Sequence, residues 1–589
     1  MTKKEYAVIT LLSTAIMILL FLLSRRLVLR FDLTGRKVNT LSPVSRNLGG
    51  EIGEELRITY FLSGKLLSLD PAPSEIRDLL REYEAHSRGK IQVAVRDPGG
   101  SGDAERFGLL PQQLQNVEQD AASFAVVYSG IVIEYLNKFE VLPWVFSLDT
   151  LEYDITSRVR SLTGGKRREL GVIAPESQKS WNEYYGLLNQ ALVQSGFTVL
   201  PLRPGEDIPD TLPVLFVLGG VEELDESGLY RIDRYIQLGG RVLFAVESVE
   251  VDLYGSWEGR LKNDRGLLAM IASYGAEVGR SLALDRSCLP VPYQDPYTQR
   301  MRLVRYAPWI GVAENPDGET GRNGEAAQNG ETGQNGGANR GGETNRGGHM
   351  LASGFGGLDF FWASPLTLNL PPSGTVAGQA LFYTSPEAWL MTRDFTLQPE
   401  QYASFGAEEE STRGEKILAA ALEGRFPRWF AGEKPAPAEG AGDPDRAEDP
   451  DRAGDTAIGE ESGPELPGMP GEAKESRIIV VGDSDLGGAL SAQYYQAMAP
   501  LGFSQSSGLN LGFLLQAADW LGNDDDIVGI RNRRSGSGRL DRIADEDRRL
   551  ALMSFSRTLN VFIVPLGIVL FGAVRLIKRK YKKEQDHAL

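Results

Sequence analysis

Residues 214–246 read VLFVLGGVEELDESGLYRIDRYIQLGGRVLFAV. A five-residue apolar run is followed by two glycines, an amphipathic stretch opened by Asp225 and closed by Gly239-Gly240, and a second apolar run. This is strand, helix (Asp225 to Leu238), strand. Strands so short and so uniformly apolar belong to sheets covered on both faces, which is the habit of parallel sheets. The same alternation begins upstream, with a strand at Leu170–Ala174, a helix from Trp181 to Ser195 stopped by Gly196, and a strand at Phe197–Leu202. The pattern predicts a doubly wound, mainly parallel α/β sheet. Ligands of such sheets lie beyond the carboxyl ends of the strands. Gly219, Gly220 and Glu247 are therefore candidate ligand-binding positions. The plainer reading of the two glycines is that they let strand and helix meet closely.

Before this region, Leu56–Leu62 reads as a strand, Pro73–Ser87 as an amphipathic helix with Ser74 as N-cap, and Ile91–Val95 as a strand. A right-handed βαβ unit of this length makes the two strands parallel. Phe124–Tyr128 and Gly130–Tyr135 read as strands around a tight turn at Ser129-Gly130, and Leu151–Leu162 as a helix. Beyond the sheet pattern, Phe360–Leu370, the strand Arg477–Val481, the sequence Gly482-Asp483-Ser484-Asp485 and a helix at Asn510–Leu521 are expected to complete the same sheet. Two stretches hold too little apolar surface to offset chain entropy and are expected to be disordered insertions, a Gly/Asn/Glu-rich one at 313–349 and a Pro/Ala/Glu/Asp-rich one at 431–476. The expected division is an N-terminal α/β domain at 32–165, and a doubly wound domain at 169–312 that continues through 350–430 and 477–525.

Both ends read as membrane segments. Ala7–Leu23 has 17 residues without a charge, and a helix is expected over 6–24, with no small-residue cleavage site after it. Leu559–Val574 is similar, giving a second span at 558–577 between an arginine-rich juxtamembrane linker at 526–557 and a basic tail at 578–589. The tail places both termini in the cytoplasm. The expectation is a two-pass protein of the bacterial inner membrane with its large domain periplasmic.

Composition narrows the chemistry. A net charge of −17 argues against nucleic acid as a partner. A single cysteine, Cys288, excludes intrachain disulfides and thiolate metal sites, and His86, His349 and His587 are far apart. The Gly-Asp-Ser at 482–484 follows a strand as a GDS-type esterase nucleophile would, but the one histidine after it, His587, lies beyond the second expected span. Asp483, Ser484 and Asp485 are therefore read as turn-formers at a strand's carboxyl end and, with Glu247, as candidate ligand contacts. Cys288 lies in a proline-flanked loop and not in a nucleophile elbow. Residues 162–168 lack the first glycine and the Ser/Thr of a P-loop. Arg531, Arg533, Arg534 and Arg539 are candidates for contact with anionic lipid or a partner. No catalytic residue, metal or cofactor is expected.

Phe31–Thr34, Asn39–Pro43, LRITYFLSGKL at 56–66, REYEAHSRGKIQVAVRDP at 81–98, LGG at 218–220, VVGDSD at 480–485 and GLNLGFLLQAADWL at 508–521 together resemble the auxiliary component of ABC-type transport systems associated with gliding motility. The resemblance covers most of the chain outside the insertions. It implies a membrane-anchored, extracytoplasmic, non-catalytic subunit working with separate permease and ATPase subunits, and an α/β domain similar to one in an intraflagellar-transport protein. The alternatives are a periplasmic serine hydrolase using the 482–484 turn, or an envelope scaffold without a transporter.

Overall fold

The computed structural model describes residues 40–530 except 70, 99–101, 119–120, 149, 165–167, 253–255, 295–299, 314–348, 353–356, 402–404, 406–411, 431–466, 499–506, 523–524 and 526–527. Ile76, Leu79, Leu80 and Tyr83 recur at helical spacing, and they form the buried face of a helix at Ala72–His86. That helix links the parallel strands Leu56–Leu62 and Ile91–Arg96. The first of these also pairs antiparallel with Ser129–Tyr135, whose other neighbour is Lys138–Leu142. Helices Pro43–Glu51 and Leu151–Leu162 share one core with Ala72–His86 over this four-stranded sheet. A buried polar knot lies inside it. Ser42 N–H donates to Glu152 (2.6 Å), and Thr156 Oγ1 meets both Ser45 Oγ (2.9 Å) and Tyr83 Oη (2.8 Å).

No tight turn at Ser129-Gly130 joins two paired strands. Ala121–Val127 pairs instead with Gln112–Glu118, and Ser129 begins the strand that crosses into the sheet. Ser129 is held there by Tyr60 Oη at 3.0 Å and by donating to the Val145 carbonyl.

The central sheet has nine strands. Glu169–Ile173, Thr198–Pro201, Val214–Leu218, Arg241–Ala245 and Ser476–Val481 are parallel, and lie in space in the order 198–201, 169–173, 214–218, 241–245, 476–481. Both faces are covered, which is why the runs are continuously apolar: Val214, Phe216 and Leu218 enter one core, Leu215 and Val217 the other. Helices Gly186–Gln194 and Ser507–Leu521 pack on the first face, and Glu226–Gln237 and Leu267–Tyr274 on the second. Asp225 caps Glu226–Gln237 by accepting from Gly228 N–H (2.8 Å). The remaining strands, Ile417–Gly424, Val376–Tyr383, Leu366–Leu368 and Ala276–Val278, extend the sheet through antiparallel pairings. A three-stranded sheet of Cys288–Gln294, Met301–Ala313 and Gly357–Phe361 packs Tyr306, Trp309 and Phe360 into the first core.

Helix 151–162 is tied to the central sheet through Asp519, whose carboxylate accepts from Arg168 and from Tyr153 Oη (3.2 Å). The Arg168 guanidinium also lies over the Phe197 ring, 4.1 Å from its centroid, and donates to the Ser195 carbonyl at 2.7 Å.

This architecture corrects two expectations. The fold is mixed α/β with several smaller sheets, and not a doubly wound, mainly parallel sheet between two terminal transmembrane helices. Among the described residues no helix is long and apolar enough to cross a membrane. The longest of them, Ala72–His86 and Ser507–Leu521, have 15 residues each. At 1.5 Å per residue that is about 22 Å, short of a hydrocarbon core of about 30 Å. The expected two-pass inner-membrane location with a periplasmic domain conflicts with this, since no spanning helix occurs among the described residues. Residues 6–24 and 558–577 lie outside the described residues, as do 314–348 and 431–466 of the expected insertions.

The glycine of the Gly-Asp-Ser sequence has a packing cause. Gly482 N–H donates to the Leu418 carbonyl (2.9 Å), and its own carbonyl accepts from Ser364 N–H (2.7 Å). A Cβ at 482 would lie 2.0 Å from the Ser364 carbonyl oxygen. Gly482→Ala is therefore expected to destabilise the protein by about 3 kcal/mol, the upper end of ordinary overpacking costs, as a lowered urea midpoint with unchanged slope.

Candidate functional site

Because five strands run the same way, the segments leaving their carboxyl ends gather on one edge of the sheet. The loop after 169–173 supplies Glu176 and Lys179, that after 214–218 supplies Gly219 and Gly220, that after 241–245 supplies Glu247, and the turn after 476–481 supplies Asp483, Ser484 and Asp485. Lys262 joins them from the segment after the hairpin Val249–Val251/Gly259–Leu261.

Glu247 is the hub. Its Oε1 accepts from Lys262 Nζ (2.7 Å) and Lys179 Nζ (3.2 Å), and its Oε2 from Ser484 N–H (2.8 Å). Lys179 also reaches Asp485 Oδ1 (2.9 Å) and Ser484 Oγ (2.8 Å), and Lys262 reaches Glu176 Oε1 (2.7 Å). Tyr184 Oη donates to Asp485, and Tyr185 Oη to the Ser484 carbonyl (3.0 Å). Burial opposes the charge on Lys179, but Asp485, Glu247 and Glu176 together outweigh it and hold the ammonium well above the ordinary lysine range. Burial works against Glu247 as well, yet the two lysines keep it ionised far below the usual carboxylate value. Asp483 and Asp485 go the other way: burial and neighbouring carboxylates raise both.

The structure brings four of the sequence-predicted residues together, Glu247, Asp483, Ser484 and Asp485. Asp483 acts as a fastener. Its Oδ1 accepts from Asp485 N–H and its Oδ2 from Phe361 N–H, both at 2.7 Å. Gly219 and Gly220 have left-handed φ of 73° and 91°, and Cβ atoms there would lie 2.4 Å from Glu176 Oε1 and 2.9 Å from Pro175 Cγ. They admit the 174–176 loop, and Gly220 N–H donates to Glu176 Oε1 (3.3 Å). Arg531, Arg533, Arg534 and Arg539 lie outside the described residues. Sequence reasoning missed Glu176, Lys179, Lys262 and Tyr184. The first two follow the first parallel strand, so the rule that singled out Glu247 reaches them too. Lys262 has no such signal.

The Lys179–Ser484 hydrogen bond has the outline of a Ser–Lys dyad, but the chemistry fails. A base must be neutral to take the serine proton, and Lys179 is held charged with three acceptors around it. Ser484 is 1% exposed. His86 Nδ1 is bonded to the Glu82 carbonyl, and the His349 ring packs on Trp520.

Above the hub the edge opens into a cleft of about 90 Å³. Its lining includes Glu176, Lys179, Glu222, Glu223, Glu250 and Trp362. At the rim Arg260 makes a two-pronged contact with Glu222 (2.8 Å for each bond) and a second ion pair with Glu250.

The family described as "ABC-type uncharacterized transport system", a family of auxiliary components, matches residues 167–517, more than half of the chain. The chain belongs to that family. Its role is accordingly an auxiliary one in an ABC-type transport system, and the match covers both the parallel strands and the charged edge. The gliding-motility association carried by the sequence resemblance is not part of what the match shows. A domain of unknown function matches residues 35–134. An uncharacterized protein of Borreliella burgdorferi is 27% identical over 98% of this chain and 99% of its own length. An exo-beta-1,4-mannosidase from Opitutaceae bacterium strain TAV5 aligns over 40% of this chain and 39% of its own, at 11% identity and a TM-score of 0.14, too low for a common fold.

Two outcomes follow from the charge network. Lys262→Met leaves Glu247 and Glu176 short of a buried partner and is expected to cost about 3–5 kcal/mol in urea unfolding, with partial recovery when Glu247→Leu is added. The Arg260 contact and the Asn263 N–H hold Glu222 at about 2, below its ordinary 4.5. A lowered carboxylate stabilises the fold above its unfolded value and loses that contribution as pH falls through the native one. The stability difference between wild type and Glu222→Gln should thus be present above pH 4.5 and gone near pH 2. Solvent screening limits it to about 1 kcal/mol.

Proposed function

We propose that the chain is a non-catalytic subunit that docks on the permease and ATPase components of an ABC-type transport system. The family match over residues 167–517 carries the reading. The closed hydrogen bonding around Lys179 and Ser484 supports its non-catalytic part, since Ser484 is buried beside a lysine that stays protonated. The resemblance of the sequence to an auxiliary component supports the choice of permease and ATPase as partners.

The test is co-expression of the tagged full chain with ABC-type permease and ATPase subunits of the same organism, followed by affinity purification and mass spectrometry. All three should purify together in fixed ratio, and the chain emerging alone would overturn the docking. Ser484→Ala should leave both the co-purification and the absence of p-nitrophenyl acetate hydrolysis unchanged. A Ser484-dependent esterase activity would overturn the non-catalytic reading.

A further inference from the structure

We infer that the cleft at the carboxyl edge of the central sheet binds a small organic cation, a primary amine on a short alkyl chain. This goes beyond the docking role and does not depend on it.

The place is set by topology. In the spatial order of the parallel strands the sequence reverses direction at 169–173, so the connection leaving this strand packs on one face and the connection leaving 214–218 on the other. A crevice opens where two such connections part, and it is where open α/β sheets receive their ligands. The cleft is lined from those two connections, by Glu176–Lys179 on one side and Glu222 and Glu223 on the other.

The charge of the ligand follows from a count of donors and acceptors. An ammonium group has three hydrogens to donate. Those of Lys179 face Glu247, Ser484 and Asp485, and two of those of Lys262 face Glu176 and Glu247. The floor's positive charge is thus engaged before a ligand arrives. The mouth adds Glu222, Glu223 and Glu250; Arg260 pairs with Glu222 and Glu250, and Lys262 acts on Glu222 and Glu223 from the floor, so carboxylates still outnumber cations among the described lining residues. At Glu223, partial burial and the charge of Glu176 raise the pKa against the pull of Lys262. An anion entering here meets like charge. A cation finds Glu176, Glu223 and Glu250 within one small space.

The kind of cation follows from the walls and the volume. Val249, Val251, Leu490 and Trp362 give the cleft an apolar side. Trp362 is held in the left-handed region (φ 55°), which is costly for a bulky residue, with its indole N–H donating to Tyr306 Oη at 3.1 Å. An indole beside carboxylates suits an alkylammonium, whose methylenes pack on the ring while its charge meets the acids. Among the described residues no group of three His, Cys, Asp or Glu side chains is placed to hold a metal ion. A space of about 90 Å³ admits the end of an aminoalkyl chain.

The experiment is isothermal titration calorimetry of the full chain with putrescine, with 1,4-butanediol, succinate and calcium chloride titrated in parallel. Saturable binding of putrescine alone is expected, weakened about tenfold by Glu223→Gln, a loss of about 1.4 kcal/mol. Glu223 is exposed at the mouth, so the variant should unfold at the wild-type urea midpoint, which separates lost binding from lost structure. Binding of succinate or calcium in place of putrescine would overturn the inference. So would an absence of putrescine binding, or a Glu223→Gln variant that binds it as tightly as wild type. Because the isolated chain is titrated, a failure here is distinct from a failure to co-purify with a permease.

Discussion

Glu247 is buried between two lysine ammonium groups and the Ser484 amide, and the order of the molecule's upper edge depends on that contact. A lone carboxylate in that position would be expelled or neutralised. Paired as it is, it fixes Lys179 from the first parallel strand's loop, Lys262 from the hairpin segment, and the 482–485 turn from a strand more than two hundred residues later in the chain. Burial of several ions together is a poor source of net stability, because each gives up hydration. Its effect is to select one arrangement of the loops over all others, since any shift leaves a charge uncompensated.

The same contact decides what the edge can do chemically. A serine beside a lysine after a strand is an invitation to read a nucleophile and its base. The lysine's three acceptors remove that option by keeping its proton in place. What remains is a recess with positive charge engaged at the floor and carboxylates at the lip, on a chain whose family assigns it an auxiliary role in transport.

Much of this was legible in the residues, and the rest was hidden for physical reasons. The runs at 214–218 and 241–245 are so apolar, and the Asp225-capped helix so regular, that local pattern and tertiary structure agree. Glu247 and Asp483–Asp485 could be singled out because they directly follow buried strands. Lys262 could not, since it comes near them only after the chain has folded through a hairpin. The antiparallel extension was equally obscure. Ile417–Gly424 reads ILAAALEG, a run with strong helix propensity, and it is a strand because burial between two neighbours outweighs propensity. At 129–130 a local turn signal lost to a longer-range pairing with 56–62. The expected doubly wound, mainly parallel sheet went furthest astray, because alternating strand and helix signals say nothing of the antiparallel pairings that extend the sheet.

The neighbour of strand 241–245 away from 214–218 is 476–481. A ribosome adding about 5–20 residues per second leaves that side of the sheet open for on the order of 10–50 s before its partner emerges. Through that interval an apolar edge with free backbone donors and acceptors faces the cell, the kind of surface that recruits stray strands and holdase chaperones. Nascent chains of this protein therefore carry an aggregation hazard in mid-synthesis, and the late strand is what ends it.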